Sequence, residues 1–234
     1  MTRLAANRDT HLTPGEIGSE ALRQFDAGGD EPSIRSLAAA LKVAPSAIYH
    51  HFGSRGEIVR FAVALVWDEA TAVLLDRVPN PRDADPAEVL VATGIGARRA
   101  WIAHYRLAPY LAATPESNEF ITNALGLLAN VLERLGLKGD RAAEALHTYS
   151  SFMIGAVLFA AARCAANERL AAEANNGRPK GRYLTESDVA AQRGSAKRTR
   201  LSIDQVIDLS VTDPARDEEL FAEGLRRLVD SLKA

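Results

Sequence analysis

Signals that start helices recur along this chain, and they constrain it to an all-α fold. A side chain able to cap a helix is followed by proline at Thr13-Pro14 and Asp85-Pro86, and Ser54 is followed three residues later by glutamate. Such caps satisfy the free N–H groups of a first helical turn, where proline costs no hydrogen bond. Between these starts apolar residues recur every three to four positions, with almost no strand-like alternation. The sequence therefore predicts an all-α protein.

Three short helices are predicted near the N-terminus. The first begins after Thr13, the second at Ser33 and the third at Pro45, with a tight break between the last two. This order is the outline of a helix-turn-helix, in which the third helix presents its first turn to DNA bases. Lys42 stands at the break, so we expect a left-handed backbone there or a slightly different turn.

The charge of this segment is unlike that of the whole chain. The chain has a net charge of −2, which excludes a protein that coats nucleic acid indiscriminately. Residues 33–56 contain three cations and no carboxylate. A surface without carboxylates suits contact with phosphates, which any Asp or Glu would repel. The helix-turn-helix therefore has the electrostatics of a DNA-binding unit.

The residues from Ser33 to Val43, the run Ile48 to Phe52 and the cap at Ser54 resemble the DNA-binding region of TetR-type (tetracycline-repressor-like) regulators. The resemblance is close from Leu12 to Phe61, about a fifth of the chain. It implies a bacterial transcription regulator with this DNA-binding set: Ser33, Arg35, Pro45, Ser46, Ala47, Tyr49, His50, His51 and Arg55.

Base readout is expected to depend on few side chains. The first turn of the third helix has no Arg, Asn or Gln, the residues that form two hydrogen bonds with one base. We therefore expect specificity to depend on Arg35, on thymine methyl contacts by Pro45 and Ala47, and on DNA shape.

The domains predicted are a helix-turn-helix domain at residues 1–57 and a helical effector-binding and dimerisation domain at 58–234, in which 175–200 form a flexible basic loop. The resemblance implies a small amphipathic organic effector in the larger domain. Arg98 and Arg99 are interpreted as a solvated face, with an anionic ligand as the alternative. The aromatic and polar candidates for the effector site are Trp67, Trp101, His104, Tyr105, Phe120, Asn123, His147, Tyr149, Phe152 and Met153.

Dimerisation follows from a long helix beginning at Asp140. Most of its circumference is apolar, so the helix has more apolar surface than the core of one chain can bury. It is predicted to form the dimer interface together with a final helix that begins at Pro214. A homodimer with a two-fold axis binds a palindromic double-stranded operator whose half-sites lie roughly 34–36 Å apart or a multiple of that. The sequence predicts a repressor that an effector releases from this operator.

Two alternatives remain open: a dimeric regulator with no small-molecule effector, and an all-α metal-binding enzyme. The sequence has no nucleophile elbow, phosphate loop or HExxH motif, and only one ExxH pair, Glu144 with His147. We therefore expect no catalytic residues, no metal and no cofactor. The first 12 residues contain no apolar signal segment, and no apolar run approaches the ~20 residues of a membrane span. The expected location is the cytoplasm, without a membrane partner.

Overall fold

The computed structural model describes residues 12–28, 31–113, 119–175 and 214–233, and within these ranges it is helical without strands. An all-α fold is thereby confirmed. The helices are α1 (Pro14–Asp26), α2 (Ile34–Leu41), α3 (Pro45–Tyr49), α4 (Arg55–Arg77), α5 (Pro86–Ala103), a 3-10 turn (Tyr105–Leu107), α6 (Ala108–Ala113), α7 (Glu119–Arg134), α8 (Asp140–Asn175) and α9 (Pro214–Leu232).

Helix α1 begins as its sequence predicts. The Glu16 N–H donates to the Thr13 hydroxyl at 3.2 Å, and the Thr13 N–H donates to the Glu16 carboxylate at 2.8 Å. This reciprocal cap fixes the first turn, and so the buried face of Ile17, Leu22 and Phe25 is directed at the core. Helix α1 packs against α4 through this face.

Helix α4 connects the helix-turn-helix to the rest of the molecule. Its 23 residues span about 34 Å. Ser54 caps it by accepting from the Glu57 N–H at 3.3 Å, and the Glu57 carboxylate accepts from the Gly53 N–H at 2.9 Å. The return hydrogen bond therefore comes from one residue earlier than in the predicted capping box. Helix α4 packs along α5 beyond this cap.

A kink or short helix is predicted over residues 106–113, with a break at Pro109. The chain forms the 3-10 turn and then the short helix α6, but α6 begins at Ala108 and contains Pro109 in its first turn. Proline is tolerated there because the first helical N–H groups have no partner within the helix. Three predictions lie outside the described residues: the helix start at Thr114-Pro115, residues 176–200 of the basic loop and a short helix at 202–209. Asn175, the first residue of the predicted loop, is instead the last residue of α8.

Helix α8 is the longest element, with 36 residues. Its stretch Asp140–Arg169 is long and apolar enough to cross a membrane by length and composition, with a mean hydropathy of 1.4 over its most apolar part. One-third of that part is buried within the chain. The core helix of a globular protein passes the same test, and α8 packs on α5, α6, α7 and α9.

Candidate nucleic-acid interface

Helix α2 and the turn after it are built from local contacts. The Ser36 N–H donates to the Ser33 hydroxyl at 3.0 Å, and the Ser33 N–H donates to the Ser36 hydroxyl at 2.9 Å. The helix ends at Lys42, whose backbone is left-handed with φ 58° and ψ 43°. The first of the two expectations for Lys42 is confirmed, and this conformation costs a non-glycine residue about 1 kcal/mol.

Helix α3 is short, and its two faces have different surroundings. Ile48 is fully buried and Phe52, just beyond the helix, is 7% exposed, so both anchor α3 to the core. Tyr49 is 56% exposed, unusually open for a large aromatic side chain. The exposed side of α3 and of the turn after it consists of Pro45, Ser46, Tyr49, His50 and His51.

The structure corrects the prediction for Ala47. This residue is only 6% exposed because it shares the inward face of α3 with Ile48. Its methyl group is therefore unavailable for a contact with thymine. Of the two predicted methyl contacts, Pro45 alone keeps an exposed side chain.

On the neighbouring elements, Ser33, Arg35 and Arg55 are exposed. Arg55 has partners that the sequence did not reveal. Its guanidinium forms an ion pair with Glu31, and its Nε donates to the Pro32 carbonyl at 2.8 Å. These contacts tie the start of α4 to the segment before α2. Residues 33–56 contain no carboxylate, but these contacts place the Glu31 carboxylate beside the surface that they form.

We expect Glu31→Gln to tighten binding to any DNA duplex by about threefold to tenfold at low salt. The substitution removes a negative charge that repels the DNA phosphates, and it frees the Arg55 guanidinium from its ion pair to contact a phosphate. A mobility-shift titration with an arbitrary duplex at two salt concentrations measures it. In an Arg55→Gln background the gain should be much smaller, because no guanidinium remains to be released.

The matched control is Glu219→Gln, which changes the net charge equally but lies in an exposed ion pair with Arg216 on α9. An equal gain in this control, or no gain from Glu31→Gln, would show that Glu31 does not act on the DNA-facing surface.

Two members of the predicted effector set, Trp67 and Trp101, form an aromatic group. The Trp67 and Trp101 rings meet edge to face, with centroids 5.7 Å apart. Trp101 is fully buried, and its indole Nε1 has no acceptor among the described residues. Tyr149 is buried at another part of α5, where its hydroxyl donates to the Leu90 carbonyl at 2.8 Å. Burial raises the pKa of Tyr149, so it remains a neutral donor.

The other members of the set are dispersed. Met153 is buried beside Gly94, and Phe152 stacks on Phe221 of α9. His104 and Tyr105 lie in a polar junction near α1. His147 is exposed on α8, which corrects its interpretation as a pocket residue. The side chains of Phe120 and Asn123 lie outside the described residues.

The expected solvated face is found only in part, because Arg99 is exposed whereas Arg98 is buried. Arg98 is 5% exposed and pairs with Asp217 of α9, and the Arg99 Nε donates to Glu218 at 2.7 Å. Both arginines hold α9 against α5. Arg98 is buried and paired, so it is not available to an anionic ligand.

A cleft of about 510 Å³ lies between α4, α5 and α9. The end of α4, the start of α5 and the end of α9 enclose it, with an apolar floor and a charged rim that includes Arg77, Glu88 and Arg226. None of the predicted effector residues lines this cleft. It is therefore separate from the aromatic group around Trp101.

Two sequence families match the chain. Bacterial regulatory proteins of the tetR family match residues 17–61. The tetracyclin repressor-like C-terminal domain matches residues 78–234, more than half of the chain. No functionally curated protein matches the sequence.

Solved structures share the fold at low sequence identity. A TetR transcriptional regulator from Streptomyces coelicolor is 20% identical, with a TM-score of 0.64 over 95% of this chain and 98% of that chain. The TetR family protein ActR from Streptomyces coelicolor, in complex with actinorhodin, is 23% identical, with a TM-score of 0.63 over 95% of each chain. BioQ with its double-stranded DNA operator is 20% identical, with a TM-score of 0.54 over 65% of this chain and 90% of that chain.

The structural likeness, at these identities, shows the fold alone. The family matches go further because together they span both the helix-turn-helix and the larger helical body. With its exposed recognition surface and these matches, the chain belongs to the TetR family of DNA-binding transcriptional regulators.

Proposed function

We propose that this regulator is a repressor that binds a palindromic operator as a homodimer and leaves it when a small organic effector binds. The observation that carries the proposal is the exposed surface of α3. A short turn leads from α3 into α4, and α4 connects this surface to the larger helical body formed by α4 to α9. We assign DNA binding to residues 1–57 and effector binding with dimerisation to residues 58–234. The protein would act in the cytoplasm, without an enzymatic step.

The DNA contacts proposed are those of the exposed predicted residues. Arg35 is the proposed base-reading side chain, because a guanidinium forms two hydrogen bonds with guanine. Tyr49 and Arg55 are proposed to contact phosphate, which positions the unit but carries no sequence information. The full set is Ser33, Arg35, Pro45, Ser46, Tyr49, His50, His51 and Arg55, with Ala47 left out because it is buried.

A second copy of the chain is the proposed partner of α8. Phe159 is 63% exposed and Ile154 is 37% exposed on this helix, although both are large and apolar. A methyl group added at Gly155 would meet nothing within 4 Å, so another backbone has room to approach there. Exposed apolar patches of this kind mark interaction surfaces, and homodimers with a two-fold axis are the commonest assembly.

The proposed effector site is the aromatic group around Trp101. A buried donor without an acceptor costs about 1–3 kcal/mol, and native structures seldom leave one. An effector that places an oxygen acceptor at the Trp101 Nε1 would remove this cost. ActR, which has the same fold, holds actinorhodin. We therefore propose a largely apolar effector with a carbonyl or similar acceptor.

The test begins with selection of the wild-type chain against a randomised double-stranded DNA library. We expect an enriched palindrome, bound more weakly as salt rises. Compounds are then screened for release of that duplex in a mobility-shift assay. Because the chain has only two tryptophans, a releasing compound should also change the intrinsic fluorescence, and Trp101→Phe should weaken its effect.

Enrichment of no palindrome would overturn the proposed dimeric operator binding. Enrichment without release by any compound would leave operator binding intact and favour a regulator that responds to a protein partner. Release that is insensitive to Trp101→Phe would place the effector elsewhere, and the charged-rim cleft would be examined next by substituting Arg226.

A further inference from the structure

A polar junction joins the helix-turn-helix to the larger helical body. Its centre is His104, at the end of α5, together with the 3-10 turn that follows it. This turn packs against α1, α5, α6 and α8. The end of α1, which belongs to the DNA-binding unit, is thus in contact with α8 through a few polar side chains.

His104 is held between two carboxylates. Its Nδ1 lies 2.9 Å from Asp26 at the end of α1, and its Nε2 lies 2.9 Å from Glu69 in the middle of α4. A neutral imidazole has one N–H, whereas an imidazolium has two. The two contacts are therefore both hydrogen bonds to ionised carboxylates only when each ring nitrogen carries a proton. In that form His104 joins α1 to α4.

Arg106 joins α1 to α8. Its guanidinium donates to the main-chain carbonyl of Asp26 and also pairs with Glu168 of α8. The last carbonyls of a helix have no partner within it, so a cation placed there satisfies an otherwise free acceptor. The Tyr105 hydroxyl donates to the same Glu168 carboxylate. Hydrogen bonds from Tyr105 and Arg106 lower the pKa of Glu168, which stays ionised at neutral pH.

Gly28 leaves the space that Arg106 occupies. Its φ is +74°, a conformation that favours glycine, and a Cβ there would lie 2.6 Å from the Arg106 guanidinium. The turn that ends α1 therefore fits around the arginine. A larger residue at position 28 would displace the side chain from the Asp26 carbonyl.

We infer that Arg106 and Glu168 are positioning residues that fix the orientation of the DNA-binding unit relative to α8. The inference rests on the proposed binding of a palindrome by a dimer, because α8 is the helix on which the two copies are proposed to meet. With α1 fixed to α8, the separation of the two recognition helices is fixed as well. Loss of the Arg106–Glu168 pair leaves each unit able to bind DNA but frees its orientation.

The test compares three duplexes: the palindrome selected by the wild-type chain, the same palindrome with one base pair inserted at its centre, and a scrambled sequence. We expect Arg106→Gln and Glu168→Gln each to weaken binding to the selected palindrome by about fivefold or more. Their preference for the selected spacing over the lengthened one should shrink, and binding to the scrambled duplex should be unchanged. The double variant should lose no more than either single variant.

Two further variants make the comparison specific. Gly28→Ala should reproduce the loss of spacing preference, because it displaces Arg106 without removing it. Arg227→Gln, in an exposed pair with Glu223 on α9, should behave as wild type.

Wild-type spacing preference in the Arg106 and Glu168 variants would overturn the inference while leaving the proposed function intact. An equal loss on all three duplexes, with a lower unfolding midpoint, would also overturn it, because the pair would then contribute only stability. If the wild-type chain itself shows no preference among the three duplexes, the proposed function fails and the inference fails with it.

Discussion

Replacing Asp217 by asparagine is expected to lower the free energy of unfolding by about 3 kcal/mol. The carboxylate faces Arg98, which is 5% exposed, and it also pairs with Arg163 of α8. Without it, the two guanidinium groups have no negative partner in contact among the described residues. Removing one partner of a buried pair is costly mainly because the remaining charge stays buried and uncompensated.

The surroundings of Arg98 offer little compensation. Its guanidinium carbon lies 4.8 Å from the centre of the Phe221 ring, and its Nε has no acceptor among the described residues. A contact with a ring face contributes less than an ionised partner does. Asp217 is therefore the ionised partner that compensates Arg98 where α9 meets α5 and α8.

The effect should depend on pH. Burial raises the pKa of Asp217, but hydrogen bonds and charges from Arg163 and Arg98 outweigh this and lower it below its ordinary value. A carboxyl with a lowered pKa in the folded state contributes its full stability above about pH 4, the pKa of an unfolded aspartate. The contribution falls as the pH drops towards the lower folded value. The difference between wild type and Asp217→Asn should shrink over that acid range.

Urea unfolding at fixed protein concentration measures the difference, because the stability of the proposed dimer would depend on concentration. Glu219→Gln is the control: it breaks an exposed pair with Arg216 on the same helix and should cost less than about 1 kcal/mol. Equal losses from the two substitutions would show that the Asp217 cluster is not a buried interaction.

Replacing Gly96 by alanine is expected to destabilise the chain by about 2 kcal/mol net. A Cβ at this position would lie 2.6 Å from the Ala70 carbonyl oxygen, so α4 and α5 must separate. Because the obstacle is backbone, it cannot rotate away, and overpacking of this kind costs about 3 kcal/mol. Alanine returns about 1 kcal/mol through its higher helix propensity.

Gly126→Ala on α7 is the matched control, because a Cβ there would meet nothing within 4 Å. It should gain up to about 1 kcal/mol, so the same substitution has opposite signs at the two glycines. Urea unfolding measures both. A gain in stability from Gly96→Ala would contradict the close approach of α4 and α5. Since α4 continues into the DNA-binding unit, we also expect Gly96→Ala to weaken operator binding.

Sequence patterns predicted the helix-turn-helix well because its determinants are local. Thr13 and Glu16 cap one helix from three residues apart, and Ser33 accepts from a backbone group three residues away. Side-chain and backbone chemistry decides such contacts before any long-range packing. The left-handed backbone of Lys42 was one of the two conformations expected at the break between the second and third helices.

Sequence patterns did not predict which face of a helix is buried when the helix is short or apolar on most sides. Helix α3 has five residues, fewer than two turns, so periodicity could not place Ala47 on the inner or the outer side. Helix α8 is apolar around most of its circumference, and this gave no indication that His147 points away from the core. In both cases only packing against other helices settled the orientation.

The sequence by itself determined that the chain is helical, where its DNA-binding helices begin, and which family it resembles. The tertiary structure alone decided the pairing of charges: Arg55 with Glu31, Arg106 with Glu168, and Arg98 with Asp217. These partners lie from 24 to 119 residues apart, so no local pattern connects them. A charged side chain shows no preference for a distant partner until the fold has brought the two together and removed the water between them.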